Sequence, residues 1–151
     1  MLNIGPRRIK LWADEIGITN PILAEQDLRL CNILEIIYTN PQVSNRLCFK
    51  GGSALNKLYF GQNKRLSVDL DFNIIGKNKQ VYQDAKGIRK FISQELKNQD
   101  PLYDITFKYN KRQTTIYAQY MPLLEKEKQT LKIEMSTVEN IPILQINRKL
   151  N

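Results

Sequence analysis

Asp69 and Asp71 stand two residues apart in the stretch Val68–Ile75, where Asp69, Asp71 and Asn73 alternate with Leu70, Phe72 and Ile74. In an extended strand this alternation puts both carboxylates on one face and the apolar side chains on the other. Two like charges so close repel each other, and a cation between them relieves the repulsion. Hard oxygen donors favour Mg2+ or Mn2+. Upstream, Phe49-Lys50-Gly51-Gly52-Ser53-Ala54-Leu55 reads as a short strand that turns at two glycines and opens a helix, where free backbone N–H groups form an anion site. A third carboxylate, Glu134, falls in Thr130–Ser136, where Leu131, Ile133 and Met135 alternate with Lys132, Glu134 and Ser136.

These are the parts of a two-metal phosphoryl or nucleotidyl transfer site. Asp69 and Asp71 would bridge the metals, and Glu134 would complete the site that activates an acceptor hydroxyl. The N–H groups of Gly51, Gly52 and Ser53, with the Ser53 hydroxyl, would hold the β and γ phosphates of a nucleoside triphosphate. Arg65 is placed to neutralise phosphate or to fix a carboxylate, and Ser67 shares strand parity with the two aspartates. Taken singly, each feature has a plainer explanation: a solvated strand face, an ordinary tight turn, a surface glutamate, a surface salt bridge. Their joint placement carries the argument.

The flanking pattern supplies elements to position them. Pro6–Ile16 has Ile9, Trp12 and Ile16 near helical spacing. Asn20-Pro21 is an N-cap followed by proline, opening a helix with Leu23, Leu30, Leu34 and Ile37 on one face that ends near Thr39, before Asn40-Pro41. The acidic pair in Glu25-Gln26-Asp27, close to that helix start, is expected to complement the helix dipole. Arg46–Phe49 is a strand, Ser53–Phe60 a helix, Gly61–Lys64 a loop and Gly76–Lys79 a basic turn. Lys79–Asn98 is an amphipathic helix with Val81, Ala85, Ile88, Ile92 and Leu96 on one face. Period-two alternation from Tyr103 to Tyr109 and from Thr115 to Tyr120, around Asn110-Lys111, is a hairpin. The tail Ile141–Asn151 shows no clear helix.

Composition narrows the chemistry. The chain has 151 residues, enough for one core and a single domain over 1–151. It contains no histidine, which removes histidine-dependent nucleophilic, acid–base and metal chemistry. Cys31 and Cys48 are widely spaced in apolar runs and read as free thiols. A net charge of +8 favours a polyanionic partner such as RNA or a nucleotide. The sequence has no stretch suited to crossing a membrane and no signal-peptide core, which places the protein in the cytoplasm.

Lys50-Gly51-Gly52-Ser53-Ala54-Leu55, Lys57-Leu58-Tyr59 and Arg65-Leu66-Ser67-Val68-Asp69-Leu70-Asp71-Phe72 together resemble the signature of the AbiEii/AbiGii-type nucleotidyltransferase toxins, within the polymerase β-like nucleotidyltransferase superfamily. Glu25-Gln26-Asp27-Leu28 resembles that family's upstream helix motif, and Leu131-Lys132-Ile133-Glu134-Met135 its strand with the third acidic residue. The resemblance runs from about Ile18 to Ser136. It implies an α+β fold with a polymerase β-like core, a mixed and mainly antiparallel sheet flanked by helices. It also implies an NTP substrate with Mg2+, transfer of a nucleotide to an acceptor hydroxyl of RNA such as tRNA or of protein, and an antitoxin partner. By position, Gly52 and Ser53 match the triphosphate turn, Asp69 and Asp71 the metal pair, Glu134 the third carboxylate, and Ser67 the serine ahead of the pair. Such proteins usually continue into a helical domain that supplies a further lysine and a further acidic residue, and this chain is read as the catalytic domain without it. Lys132, on the Glu134 face, is then the residue to stand in for that lysine. Two other readings are a catalytically inactive domain that binds a nucleotide or a partner, and a basic RNA-binding protein whose affinity does not need the carboxylates.

Overall fold

In the computed structural model the described residues are 4–55, 57, 68–76 and 79–138. Helix α1 (Pro6–Ile16) closes at Gly17, which takes the left-handed conformation with φ 71°. Helix α2 (Pro21–Thr39) begins where the Asn20 side chain accepts a hydrogen bond of 2.9 Å from the Ile22 N–H. The same asparagine–proline device recurs at its end. There Asn40 accepts from the Gln42 N–H at 2.9 Å and opens a short helix α3 (Pro41–Ser44), where the sequence suggests a simple stop.

Strand β1 (Leu47–Lys50) runs directly into α4 (Gly51–Leu55). Strand β2 (Asp69–Ile74), helix α5 (Lys79–Gln99) and strands β3 (Asp104–Tyr109), β4 (Gln113–Tyr120) and β5 (Gln129–Ser136) follow. At the hairpin between β3 and β4, Asn110 Oδ1 accepts from the N–H groups of Arg112 and Gln113. The sheet order is β1-β2-β5-β4-β3, with β2 and β5 parallel and the other neighbours antiparallel. This is an α+β fold with a mixed, mainly antiparallel sheet.

Period-two burial gives the sheet two unlike faces. Leu70, Phe72 and Ile74 of β2 and Leu131, Ile133 and Met135 of β5 are fully buried. They form one core with Leu30, Ile33 and Ile37 of α2 and Ala85, Ile88, Ile92 and Leu96 of α5. Each Leu, Ile, Phe or Met side chain of the set contributes about 1.5–3 kcal/mol by leaving water, so the pattern pins strand register: a slip of one residue would expose the buried face of a strand. Asp69, Asp71 and Asn73 are left on the opposite, half-buried face. Residues 56 and 58–60 of the expected Ser53–Phe60 helix, the Gly61–Lys64 loop, Arg65 and Ser67, residues 77 and 78 of the Gly76–Lys79 turn and the Ile141–Asn151 tail lie outside the described residues.

Candidate active site

The register of the sheet aligns the polar side chains into rows. Lys50, Asp71, Glu134, Thr115 and Lys108 are successive partners across β1, β2, β5, β4 and β3. Asp69, Lys132, Tyr117 and Thr106 form the row beside it. Directly paired residues share a face, so Asp69, Asp71, Glu134 and Lys132 meet on one side, as the strand parities require. Burial pushes the Asp71 carboxyl above the usual aspartate value, and Glu134 and Asp69 push it further, against partial relief from Lys132 and Lys50.

Glu134 is held on both oxygens. Lys132 Nζ lies 2.6 Å from Oε2, while the Gln113 side chain donates to Oε1 and lies 3.2 Å from Thr115 Oγ1. The hydrogen bond to Glu134 is the main reason that the Lys132 ammonium sits above its ordinary value. Gln113 escaped the sequence analysis because its role comes from cross-strand register, pairing opposite Ser136 at the start of β4, and no local motif marks it.

The glycine turn is built against this row. Gly51 has φ +79°, a conformation L side chains rarely adopt, and its missing Cβ leaves the room that the Asp71 carboxylate fills. Gly51 and Gly52 are exposed, whereas Ser53 is completely buried and donates its hydroxyl to the backbone carbonyl of Asp69. The hydroxyl expected to face phosphate thus ties the turn to the carboxylate strand.

Behind the turn stands a buried charged network on α2, and it corrects the reading of Glu25 and Asp27 as helix-dipole partners. Asn20 already caps the helix, and both acidic side chains point into the protein. Lys57 Nζ pairs with Asp27 Oδ1 at 2.6 Å and lies 3.2 Å from Cys31 Sγ, and Trp12 Nε1 donates to Asp27 Oδ2 at 3.0 Å. Burial alone would lower the Lys57 pKa, but Cys31 and Asp27 outweigh it and the ammonium is held above its usual value. Glu25 binds Arg29 at 2.9 Å and accepts from the Leu123 N–H at 2.9 Å. Arg29 continues to the Tyr103 hydroxyl at 2.9 Å and stacks on Tyr120, its guanidinium carbon 4.1 Å from the ring centre. The spacing Glu25–Arg29, together with Asp27–Cys31, was the available signal: polar residues four apart along a largely buried helix. Both cysteines are free thiols.

The donor set suits a hard divalent cation. It is made of oxygen ligands, and Asp69, Asp71 and Glu134 lie on one face of paired strands. Among the described residues no three such side chains converge on one point, and Glu134 is turned to Lys132 and Gln113. Asp69 and Asp71 would hold the ion, and Glu134 would join them on release from Lys132.

Comparison with known proteins follows the same direction. The sequence model for the AbiEii nucleotidyl transferase toxin of type IV toxin–antitoxin systems matches residues 32–148. The fold is similar to the crystal structure of JHP933 from Helicobacter pylori, with 26% identity and a TM-score of 0.51, over 79% of this chain and 47% of that one. It is also similar to a candidate nucleotidyltransferase from H. pylori, with 25% identity and a TM-score of 0.54, over 83% of this chain and 51% of that one. The chain thus spans about half the length of these structures. No curated protein matches it significantly.

Proposed function

The chain belongs to the AbiEii nucleotidyl transferase toxin family, and from that premise we propose that it transfers a nucleotide from a nucleoside triphosphate to an acceptor hydroxyl, as the catalytic part of a toxin. The observation that carries the reading is the direct pairing of Asp71 with Glu134 across parallel strands, with Gly51 packed against the Asp71 carboxylate.

The acceptor oxygen forms a bond to the α-phosphorus as pyrophosphate leaves with the electron pair of the broken bond. Glu134 takes the acceptor's proton. Asp69 and Asp71 would hold Mg2+ or Mn2+, which when bound would supply charge neutralisation and activation of the hydroxyl. The exposed backbone of Gly51 and Gly52 receives the triphosphate. Ser53 fixes the turn from beneath. Lys132 leaves Glu134 for the incoming phosphates and serves as the site's mobile cation. The acceptor is RNA such as tRNA, in keeping with the net charge of +8. An antitoxin is the expected partner and the cytoplasm the expected location. No described helix is long and apolar enough to cross a membrane.

The test is incubation with each labelled nucleoside triphosphate, Mg2+ and total tRNA. Label should enter the acceptor with the wild type and not with Asp71→Asn. If no combination gives transfer, while calorimetry shows triphosphate binding that needs Asp71, the chain is a nucleotide-binding module instead.

A further inference from the structure

The polar face of the sheet extends past the carboxylates onto β4 and β3. Helices α2 and α5 cover the other face, and α4 adjoins β1 and β2. On β3 and β4, Thr106 and Lys108 are exposed and Tyr117 is half-buried. Tyr117 pairs directly with Lys132, and Lys108 pairs with Thr115, which in turn pairs with Glu134. Strands lie about 4.8 Å apart, so the ring of Tyr117 is one strand from the Glu134 carboxylate and Lys108 one strand further out. Lys108 Nζ lies over the Tyr117 ring, 5.7 Å from its centre, near the outer limit of a cation–π contact, and Tyr117 is half-exposed.

From this order of groups we propose that Tyr117 and Lys108 form a platform for the single-stranded end of a nucleic-acid acceptor. The terminal base stacks on Tyr117, the adjoining backbone phosphate meets Lys108, and the end hydroxyl is directed towards Glu134. The proposal rests on the nucleotidyl-transfer reading of the carboxylate row and names the acceptor's binding surface. A flat aromatic face flanked by Lys132 and Lys108 recognises bases and phosphates in alternation, and only an unpaired strand offers its base faces for such stacking. A protein acceptor would have no use for the ring and would gain less from the outer lysine.

Binding of a fluorescein-labelled single-stranded octanucleotide, read by anisotropy without nucleoside triphosphate or metal, tests the platform apart from the reaction. Tyr117→Ala should weaken binding about tenfold, and Tyr117→Trp should restore it, since base–aromatic stacking contributes a few kilocalories per base. Lys108→Gln should lower the slope of log affinity against log salt by about 0.7, the value for one phosphate contact on a single strand. Unchanged thermal unfolding of Tyr117→Trp and Lys108→Gln keeps these results separate from misfolding. The proposal is overturned if the wild type binds no single strand, if Tyr117→Ala and Lys108→Gln bind as the wild type does, or if a duplex of the same sequence binds equally well with the same dependence on Tyr117. Absence of nucleotide transfer with the platform intact would count against the proposed activity alone.

Discussion

Gly51 and Asp71 occupy one space between them: a Cβ added to Gly51 would stand 2.6 Å from Asp71 Oδ2 and 3.2 Å from Asp71 Cβ. Gly51→Ala therefore has two effects. The left-handed backbone costs about 1–2 kcal/mol with a side chain, which for a chain of this size lowers Tm by about 3–6 °C. The methyl group also displaces the Asp71 carboxylate, and a shift of that size in a reacting group costs about a hundredfold in rate. Calorimetry and transfer assays on the one variant should show a small loss of stability beside a large loss of kcat/KM.

The charge on Asp71 works against the fold. Its pKa is raised by burial and by Glu134 and Asp69, so the folded chain holds that proton more tightly than the unfolded chain does. Stability from this group is complete below the unfolded aspartate value of about 3.9 and is lost as pH rises through the higher folded value. Asp71→Asn should raise Tm near neutral pH, with the gain shrinking as pH falls towards 4. A variant equally or less stable than wild type across that range would contradict the assignment.

Divalent cations should reverse that penalty. Mg2+ or Mn2+ at a hundred times its Kd would stabilise the wild type by about 2.7 kcal/mol, and a chelator would remove the gain. Asp71→Asn should lose most of the Tm increase. Glu134→Gln should lose part of it, because on the proposed reading Glu134 would reach the ion only after leaving Lys132 and Gln113, which hold it in the structure.

Lys57 and Asp27 form a pair that joins α2 to the segment just after the glycine turn. Asp27 is nearly inaccessible, so Lys57→Met leaves a buried carboxylate without its cation and should cost about 3 kcal/mol in urea unfolding. Adding Asp27→Asn should recover part of that loss, since the neutral amide no longer demands a counter-charge. Additive losses in the double variant would show that the two residues act separately.

Much of the site was legible because strand parity is a local property. Asp69 and Asp71 on one face, Lys132 and Glu134 on one face, and the hairpin around Asn110 follow from alternation alone, the helix start at Pro21 follows from the Asn20 cap, and the one at Pro6 from proline in the first turn. The adjacency of β2 and β5 was expected only from the shared chemistry of their carboxylates and is borne out; local pattern does not specify it, because α5 and the whole hairpin lie between the two strands in the chain. The roles of Glu25, Asp27 and Lys57 were hidden for a similar reason. Near a helix start an acidic residue looks like a helix-dipole partner, and only the fold shows that Lys57, Arg29 and Trp12 wait inside.

The parallel pairing of β2 with β5 also bears on the order in which the molecule assembles. Among the described strands it is the one pairing that is not antiparallel, and it joins segments about 60 residues apart in the chain. Contacts of such long range carry a loop-closure penalty that the local hairpin of β3 and β4 escapes. The hairpin can form early, whereas Asp71 meets Glu134 only when β5 has been made and docked at the centre of the sheet. A ribosome-bound chain that ends before β5 therefore has its glycine turn and its two aspartates but not Glu134, and on the proposed reading its carboxylate row stays incomplete until this late strand arrives.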